Sequence, residues 1–164
     1  TALWEESTRV PFIVVAPDTG KPGQYCAQPV SMIDMFPTLI DFCGLPKIDN
    51  LDGLSLVPWL RNPEKPRKRP AIIVEETGHI AIRTDRYRYI RYTNGDEELY
   101  DHQSDSNEWT NLAGRKEHAA TKTKLAKWIP KNPAKPVLPR KAFTFDPETF
   151  TFTHKKSGKV IKGQ

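Results

Sequence analysis

Two cysteines, four histidines and scattered carboxylates are the residues of this 164-residue chain whose types support covalent or metal chemistry. Cys26 and Cys43 are too few for a disulfide framework or a four-cysteine metal site. If a helix lies between them, their sulfurs sit at its opposite ends, about 15–20 Å apart at the helical rise, too far to bridge. They read as a buried apolar thiol at Cys43 and a loop thiol at Cys26. His102, His118 and His154 are dispersed and read as surface residues, with no metal site among them. Asp96, Glu97 and Glu98 flank a turn and read as solvated. His79 and Arg83 differ, because period-two alternation puts both on one strand face, opposite Ile80 and Ile82. A guanidinium there suits two-pronged hydrogen bonding to an oxyanion, and an imidazole can donate beside it. The competing reading of the pair is a solvated strand face or a structural contact between domains.

The elements that must position these residues follow from periodicity and turn signals. Residues 1–8 read as a short helix or turn with Leu3 and Trp4 as its apolar side. Residues 10–16 are the most apolar run, rich in β-branched residues and bounded by Arg9 and Pro17, so they read as a strand buried on both faces of a parallel sheet. The nine residues before Val10 are too few to supply its neighbours, which implies that the chain is a piece of something larger. A helix is expected over 35–43, capped by Asp34, with Pro37 in its first turn and Phe36, Leu39, Ile40 and Cys43 facing the strand. Gly44 and Pro46 end it. Ser55 is expected to cap a short helix through Leu60.

After a polar linker at 62–70 the period changes to two. Strands are expected at 71–75, 79–83, 87–92 and 98–100, with Asn94-Gly95 as a hairpin turn, forming an antiparallel sheet with a one-sided core. Trp109 reads as the hydrophobic anchor of the loop that follows. A basic amphipathic helix is expected around 117–128, then irregular chain at Pro130, Pro133, Pro136 and Pro139. Phe143-Thr144-Phe145 and Phe150-Thr151-Phe152 could pair as a hairpin before a frayed terminus.

Composition bounds the function classes. The chain is 37% hydrophobic and 27% charged with 15 prolines, the profile of a soluble protein with a modest core and much irregular backbone. No apolar run approaches the roughly 18 residues of a membrane span, and no basic-then-apolar leader opens the chain. The net charge of +5 hides an asymmetry, since thirteen basic residues face three acidic ones from Ala113 onward. That tail favours anionic partners such as an acidic polysaccharide, while the acidic body argues against nucleic acid.

Three stretches, in order and spacing, resemble the C-terminal part of a type I sulfatase, the formylglycine-dependent family with an alkaline-phosphatase-like α/β fold. They are Leu3-Trp4-Glu5-Glu6-Ser7-Thr8-Arg9-Val10-Pro11; Val30-Ser31-Met32-Ile33-Asp34-Met35-Phe36-Pro37-Thr38-Leu39 with Leu51-Asp52-Gly53-Leu54-Ser55-Leu56; and Ile82-Arg83-Thr84-Asp85-Arg86-Tyr87-Arg88-Tyr89-Ile90 with Glu98-Leu99-Tyr100-Asp101. The set is similar to bacterial sulfatases of the iduronate-2-sulfatase type and covers about 1–112, whereas the tail resembles nothing recognisable. The resemblance implies residues 1–61 as the end of a catalytic domain with a large central sheet, 62–112 as a small antiparallel-sheet domain with a packed helix, and 113–164 as a basic helix and proline-rich tail. It implies a sulfuric ester hydrolase acting on sulfated carbohydrate at a periplasmic or extracellular location. It also implies a formylglycine nucleophile made from the cysteine of a CxPxR motif and a calcium ion. Neither carries over: Cys26 precedes Ala27-Gln28-Pro29-Val30, Cys43 precedes Gly44-Leu45-Pro46-Lys47, and neither fits the motif. The catalytic and metal residues are therefore expected outside this chain, in the N-terminal portion that would be its partner. His79 and Arg83 remain as candidate substrate-binding residues bordering the cleft. The rival reading is a stand-alone basic module that binds sulfated glycans or other polyanions through its tail and aromatic side chains.

Overall fold

Alternating β-branched and aromatic residues after Pro70 build a four-stranded antiparallel meander, β1 (Ala71–Val74), β2 (Ile80–Arg83), β3 (Tyr87–Arg91) and β4 (Glu97–Asp101), in the order β1-β2-β3-β4. The computed structural model describes residues 2–75, 78–132 and 142–162, which divide into two compact units, Thr1–Lys131 and Asn132–Gln164. Ile82 stands opposite both Ile72 and Tyr89, and Arg83 opposite Arg88. The turn between β3 and β4 puts Gly95 at φ 93°, a left-handed conformation that glycine adopts without steric cost.

Both faces of this sheet are buried, not one. Ile80, Ile82, Tyr89 and Leu99 pack with Ala113 and Leu125 on one side, while Ala81, Ile90 and Tyr100 pack with Leu3 on the other. The chain folds back over the sheet twice, which alternation within the strands cannot reveal. The first return is α1 (Glu5–Thr8) with Leu3 just ahead of it, and the second is α4 (Ala119–Ala126), which delivers Leu125. Burying Leu3, only 2% exposed, contributes about 1.5–3 kcal/mol to docking the first return.

The segment before the sheet departs from expectation in four places. Residues 10–16 form no ladder with any described residue, and Ile13 and Val15 are 85% and 88% exposed while Phe12 and Val14 are half-buried, so the expected strand buried on both faces is an extended run open on one side. A short 3-10 turn, Met32–Asp34, precedes α2 (Met35–Phe42). Its cap is Ser31, and the Asp34 carboxylate reaches back to the Ser31 N–H at 2.9 Å instead of capping α2. The expected apolar face of α2 is mostly uncovered: Phe36, Leu39 and Cys43 are exposed, and Ile40 and Thr38 are its buried positions. Both cysteines are free, with Cys26 half-buried and its thiol on the Pro63 carbonyl. In α3 (Val57–Arg61) the cap position is Leu56, one residue later than expected.

In the second unit β5 (Phe143–Asp146), β6 (Thr151–His154) and β7 (Val160–Lys162) form an antiparallel sheet in the order β5-β6-β7. The aromatic hairpin forms, with Phe145 and Phe152 centroids 4.7 Å apart, and a third strand occupies the expected frayed end. Of the proline stretch, Pro133, Pro136 and Pro139 lie outside the described residues.

Gly53 shows where backbone is pressed against backbone. A Cβ placed there would meet the Ile33 carbonyl oxygen at 2.1 Å, whereas one at Gly114 would meet nothing within 4 Å. Gly53→Ala is therefore expected to lower unfolding stability by roughly 2 kcal/mol or more, and Gly114→Ala to change it by less than about 0.5 kcal/mol, as read by urea denaturation. Equal effects would show that the approach is relaxed in solution.

Candidate functional site

Arg83 closes β2 on the face that Leu3 covers, so its guanidinium emerges among charged groups brought from far along the chain. Its Nε donates to Glu5 Oε2 at 3.1 Å and its Nη2 to His102 Nδ1 at 3.0 Å, while Nη1 donates to the Thr84 carbonyl. Across the ladder Arg88, 1% exposed, sends Nε to Glu108 Oε1 at 2.6 Å, Nη1 to the Leu3 carbonyl at 2.8 Å and Nη2 to Glu5 Oε2. Glu108 also accepts the Glu5 N–H at 2.8 Å and the His102 Nε2 proton at 2.7 Å. A guanidinium only donates and an ionised carboxylate only accepts, so His102 is fixed with Nδ1 as acceptor and Nε2 as donor.

Glu5, His102 and Glu108 present ligand atoms within 4.8 Å of one another, the geometry of a cation site. Their donor set does not fit one. Arg83 and Arg88 already occupy the Glu5 and Glu108 oxygens and the free His102 nitrogen, and a calcium ion would be placed against two guanidinium groups. The cluster is a buried ion network that fastens α1 and the loop after β4 to the sheet. His102, expected at the surface, is 8% exposed because this network needs both of its nitrogens.

His79 lies elsewhere. It precedes β2 by one residue, its Nδ1 accepts the Thr93 N–H at 3.2 Å, and its ring stands edge-on to Tyr92 at 5.1 Å. Four residues along a strand separate it from Arg83 by about 13 Å. The two share a face without sharing a pocket. Arg83 lines a cleft of about 410 Å³ with Arg67, Arg86, Lys124 and Trp128, whereas the residues flanking His79, Gly78 and Ile80, border a smaller cavity with Tyr92 and Thr93.

Several polar groups read as solvated are pinned. Glu97 accepts the Tyr89 hydroxyl and pairs with Lys122 at 2.7 Å, and its pKa is held below the usual carboxylate range chiefly by the Lys122 hydrogen bond. Glu98 accepts from the Trp4 indole at 2.7 Å and from the Tyr92 and Tyr100 hydroxyls, both at 3.0 Å. Desolvation and the Glu98 hydrogen bond push Tyr92 up to about 12. Trp109, expected as an anchor, is 83% exposed; its neighbour Glu108 does the anchoring from a left-handed backbone at φ 58°. Asp34 and Arg67 form a second buried pair at 2.7 Å, in which Asp34 also accepts the Leu54 N–H at 2.8 Å. Hydrophobic periodicity carries no signal for such pairs, since their members lie 20 to 83 residues apart.

The chain matches the family described as N-sulphoglucosamine sulphohydrolase, C-terminal, over residues 1–135. It is 34% identical over 152 residues to a sulfatase of Formosa agariphila, covering 92% of this chain and 28% of that protein. It is also 34% identical over 125 residues to the Delta 4,5-hexuronate-2-O-sulfatase of Bacteroides thetaiotaomicron, covering 68% of this chain and 26% of that one. Among solved structures it superposes with TM-score 0.51 and 28% identity on BT4656, solved in complex with its substrate D-glucosamine-2-N,6-O-disulfate, over 58% of this chain and 22% of the other. The chain thus spans between a quarter and a third of these two curated relatives. These matches run past Leu112 into the tail, where the sequence alone offered no resemblance.

Two outcomes follow from the ion network. Glu108→Ala, which leaves Arg88 Nε, His102 Nε2 and the Glu5 N–H without their shared acceptor, is expected to cost about 3–5 kcal/mol in urea unfolding, against less than about 0.5 kcal/mol for the adjacent Trp109→Ala. The pKa of Glu5 is lowered: burial alone would raise it, but the hydrogen bond from Arg88 and the charge of Arg83 outweigh that. Asp101 is lowered by its hydrogen bonds from Arg86. Depressed folded values mean that unfolding takes up protons in acid. Stability should therefore be complete above about pH 4 to 5 and fall as pH drops through the lower folded values. A melting temperature that is flat from pH 5 to pH 2.5 would contradict this.

Proposed function

We propose that this chain, which belongs to the N-sulphoglucosamine sulphohydrolase C-terminal family, is the C-terminal part of a sulfatase that hydrolyses sulfate esters on sulfated carbohydrates. The match over residues 1–135, joined to the packed four-stranded sheet, carries the reading. The fold class is the alkaline-phosphatase-like α/β fold, of which the sheet with its packed helix is the small C-terminal domain. The relatives named for a hexuronate 2-O-sulfate and a glucosamine disulfate favour a sulfated saccharide as substrate class. A periplasmic or extracellular location is consistent with such substrates, and no described helix is long and apolar enough to cross a membrane.

A formylglycine would supply the nucleophile and a calcium ion the charge that steadies the sulfate oxygens in such an enzyme. This chain's residues do not fit either group, since neither cysteine stands in a CxPxR motif and the single ligand cluster among the described residues is saturated by arginine. Both belong to the partner portion of the enzyme. The role left to this chain is to dock against that portion and to border the substrate cleft. The extended run at 10–16 pairs in no ladder among the described residues, as a strand awaiting neighbours does. His79 and Arg83 are the proposed substrate contacts from the β2 face.

The intact enzyme is expected to release inorganic sulfate from sulfated saccharides, and this chain alone to release none. Absence of release by the intact enzyme across a panel of sulfated uronate and hexosamine saccharides, or release by this chain alone, would overturn the reading. Within the intact enzyme His79→Ala and Arg83→Ala are each expected to lower kcat/KM about tenfold or more. Unchanged kcat/KM in both variants would remove the two residues from the cleft.

A further inference from the structure

The cleft beside Arg83 has an unbalanced charge. Its lining carries six basic side chains, Arg67, Lys68, Arg69, Arg83, Arg86 and Lys124, against the single acid Asp85. Three of the six are neutralised, Arg67 by Asp34, Arg83 by Glu5 and Arg86 by Asp101. Lys68, Arg69 and Lys124 have no side-chain hydrogen bond or ion pair among the described residues. They come from two elements, the linker before β1 and helix α4, that converge on the same space of about 410 Å³. Like charges gathered around a concavity raise the local concentration of anions there.

A second observation lies on the wall of this cleft. Arg67 is 3% exposed, its Nη2 on Asp34 and its Nε on the Arg69 carbonyl at 3.2 Å, with the guanidinium stacked over Trp59 at 4.9 Å. Its Nη1 is the one buried side-chain polar atom among the described residues without a partner. A buried donor left unpaired costs about 1–3 kcal/mol, so this wall of the cleft keeps a guanidinium whose hydrogen-bonding capacity the described residues do not use up. Trp128, also in the lining and 38% exposed, offers an aromatic face of the kind that stacks on sugar rings.

We propose that this cleft is an anion-binding subsite for a sulfate or carboxylate group of a sulfated saccharide, with Lys68, Arg69 and Lys124 supplying the charge beside the buried Arg67 guanidinium. The affinity for an anion follows from the cleft itself; the saccharide as its source rests on the proposed function.

The test is a calorimetric and 1H–15N NMR titration of the chain, at constant ionic strength, with inorganic sulfate, with a sulfated uronate–glucosamine disaccharide and with the same disaccharide desulfated. The sulfated disaccharide is expected to bind at least about tenfold more tightly than the other two, with shifts centred on 67–69, 124 and 128. Lys68 and Lys124 are exposed, so K68Q/K124Q should melt like the parent while binding about tenfold more weakly. The tail variant K155Q/K156Q should bind like the parent. Loss of binding in the tail variant but not in the cleft variant would overturn the proposal, as would equal binding of the desulfated sugar. Inorganic sulfate binding as tightly as the sulfated disaccharide would overturn the saccharide assignment. None of these readouts needs turnover, so their failure is distinguishable from a failure of the intact enzyme to release sulfate.

Discussion

A guanidinium removed from water is costly unless its charge and its donors find partners, and in Arg88 each of the three nitrogens has one. From the centre of the sheet it reaches the Leu3 carbonyl, the Glu5 carboxylate and the Glu108 carboxylate. The sheet, the opening segment and the loop after β4 are thereby held through one side chain. Arg83 and His102 enlarge the network without adding a second centre, because each contacts a carboxylate that Arg88 already holds. The same arrangement explains why a geometrically plausible cation cluster does not suit a metal: the arginines have taken its place.

What periodicity encodes, the sequence displays. The four strands, their turn at Asn94-Gly95, the helix placing Leu125 and the aromatic hairpin at 143–152 all follow from spacing and turn chemistry. What depends on distant partners stays hidden. Nothing near Glu108 distinguishes it from its solvated neighbours, and Trp109 beside it offers the stronger apolar signal while standing exposed. Asp34 is identifiable as a capping residue but not as the acceptor of Leu54 and Arg67. The apolar stripe of α2 and the run at 10–16 read as buried because their composition suits burial, yet among the described residues Ile40 is the buried member of the stripe and one side of the run stands exposed. For the candidate site, alternation places His79 and Arg83 on one face; it is silent on their separation and on the cleft that only Arg83 enters.

Two charge patterns coexist in the first unit. One is compensated and buried, built from arginines with carboxylate partners; the other is uncompensated and faces the cleft, built mainly from lysines. Arginine's planar fork suits the first, since it can satisfy several fixed acceptors at once, and lysine's mobile ammonium suits the second. The stretch at 62–70, expected as a polar linker, contributes to both through Arg67 and Lys68.

The tie between Glu5 and Glu108 spans 103 residues of chain. During synthesis the opening segment has its final partners only after β3, β4 and the loop beyond them have been made. Until then Leu3 and α1 are without cover. Contacts of such sequence separation close late and slowly, so the nascent chain passes through a long interval in which the apolar anchor Leu3 is unprotected. For this part of the molecule the hazard of misassociation is set by the timing of one loop rather than by the stability of the finished fold.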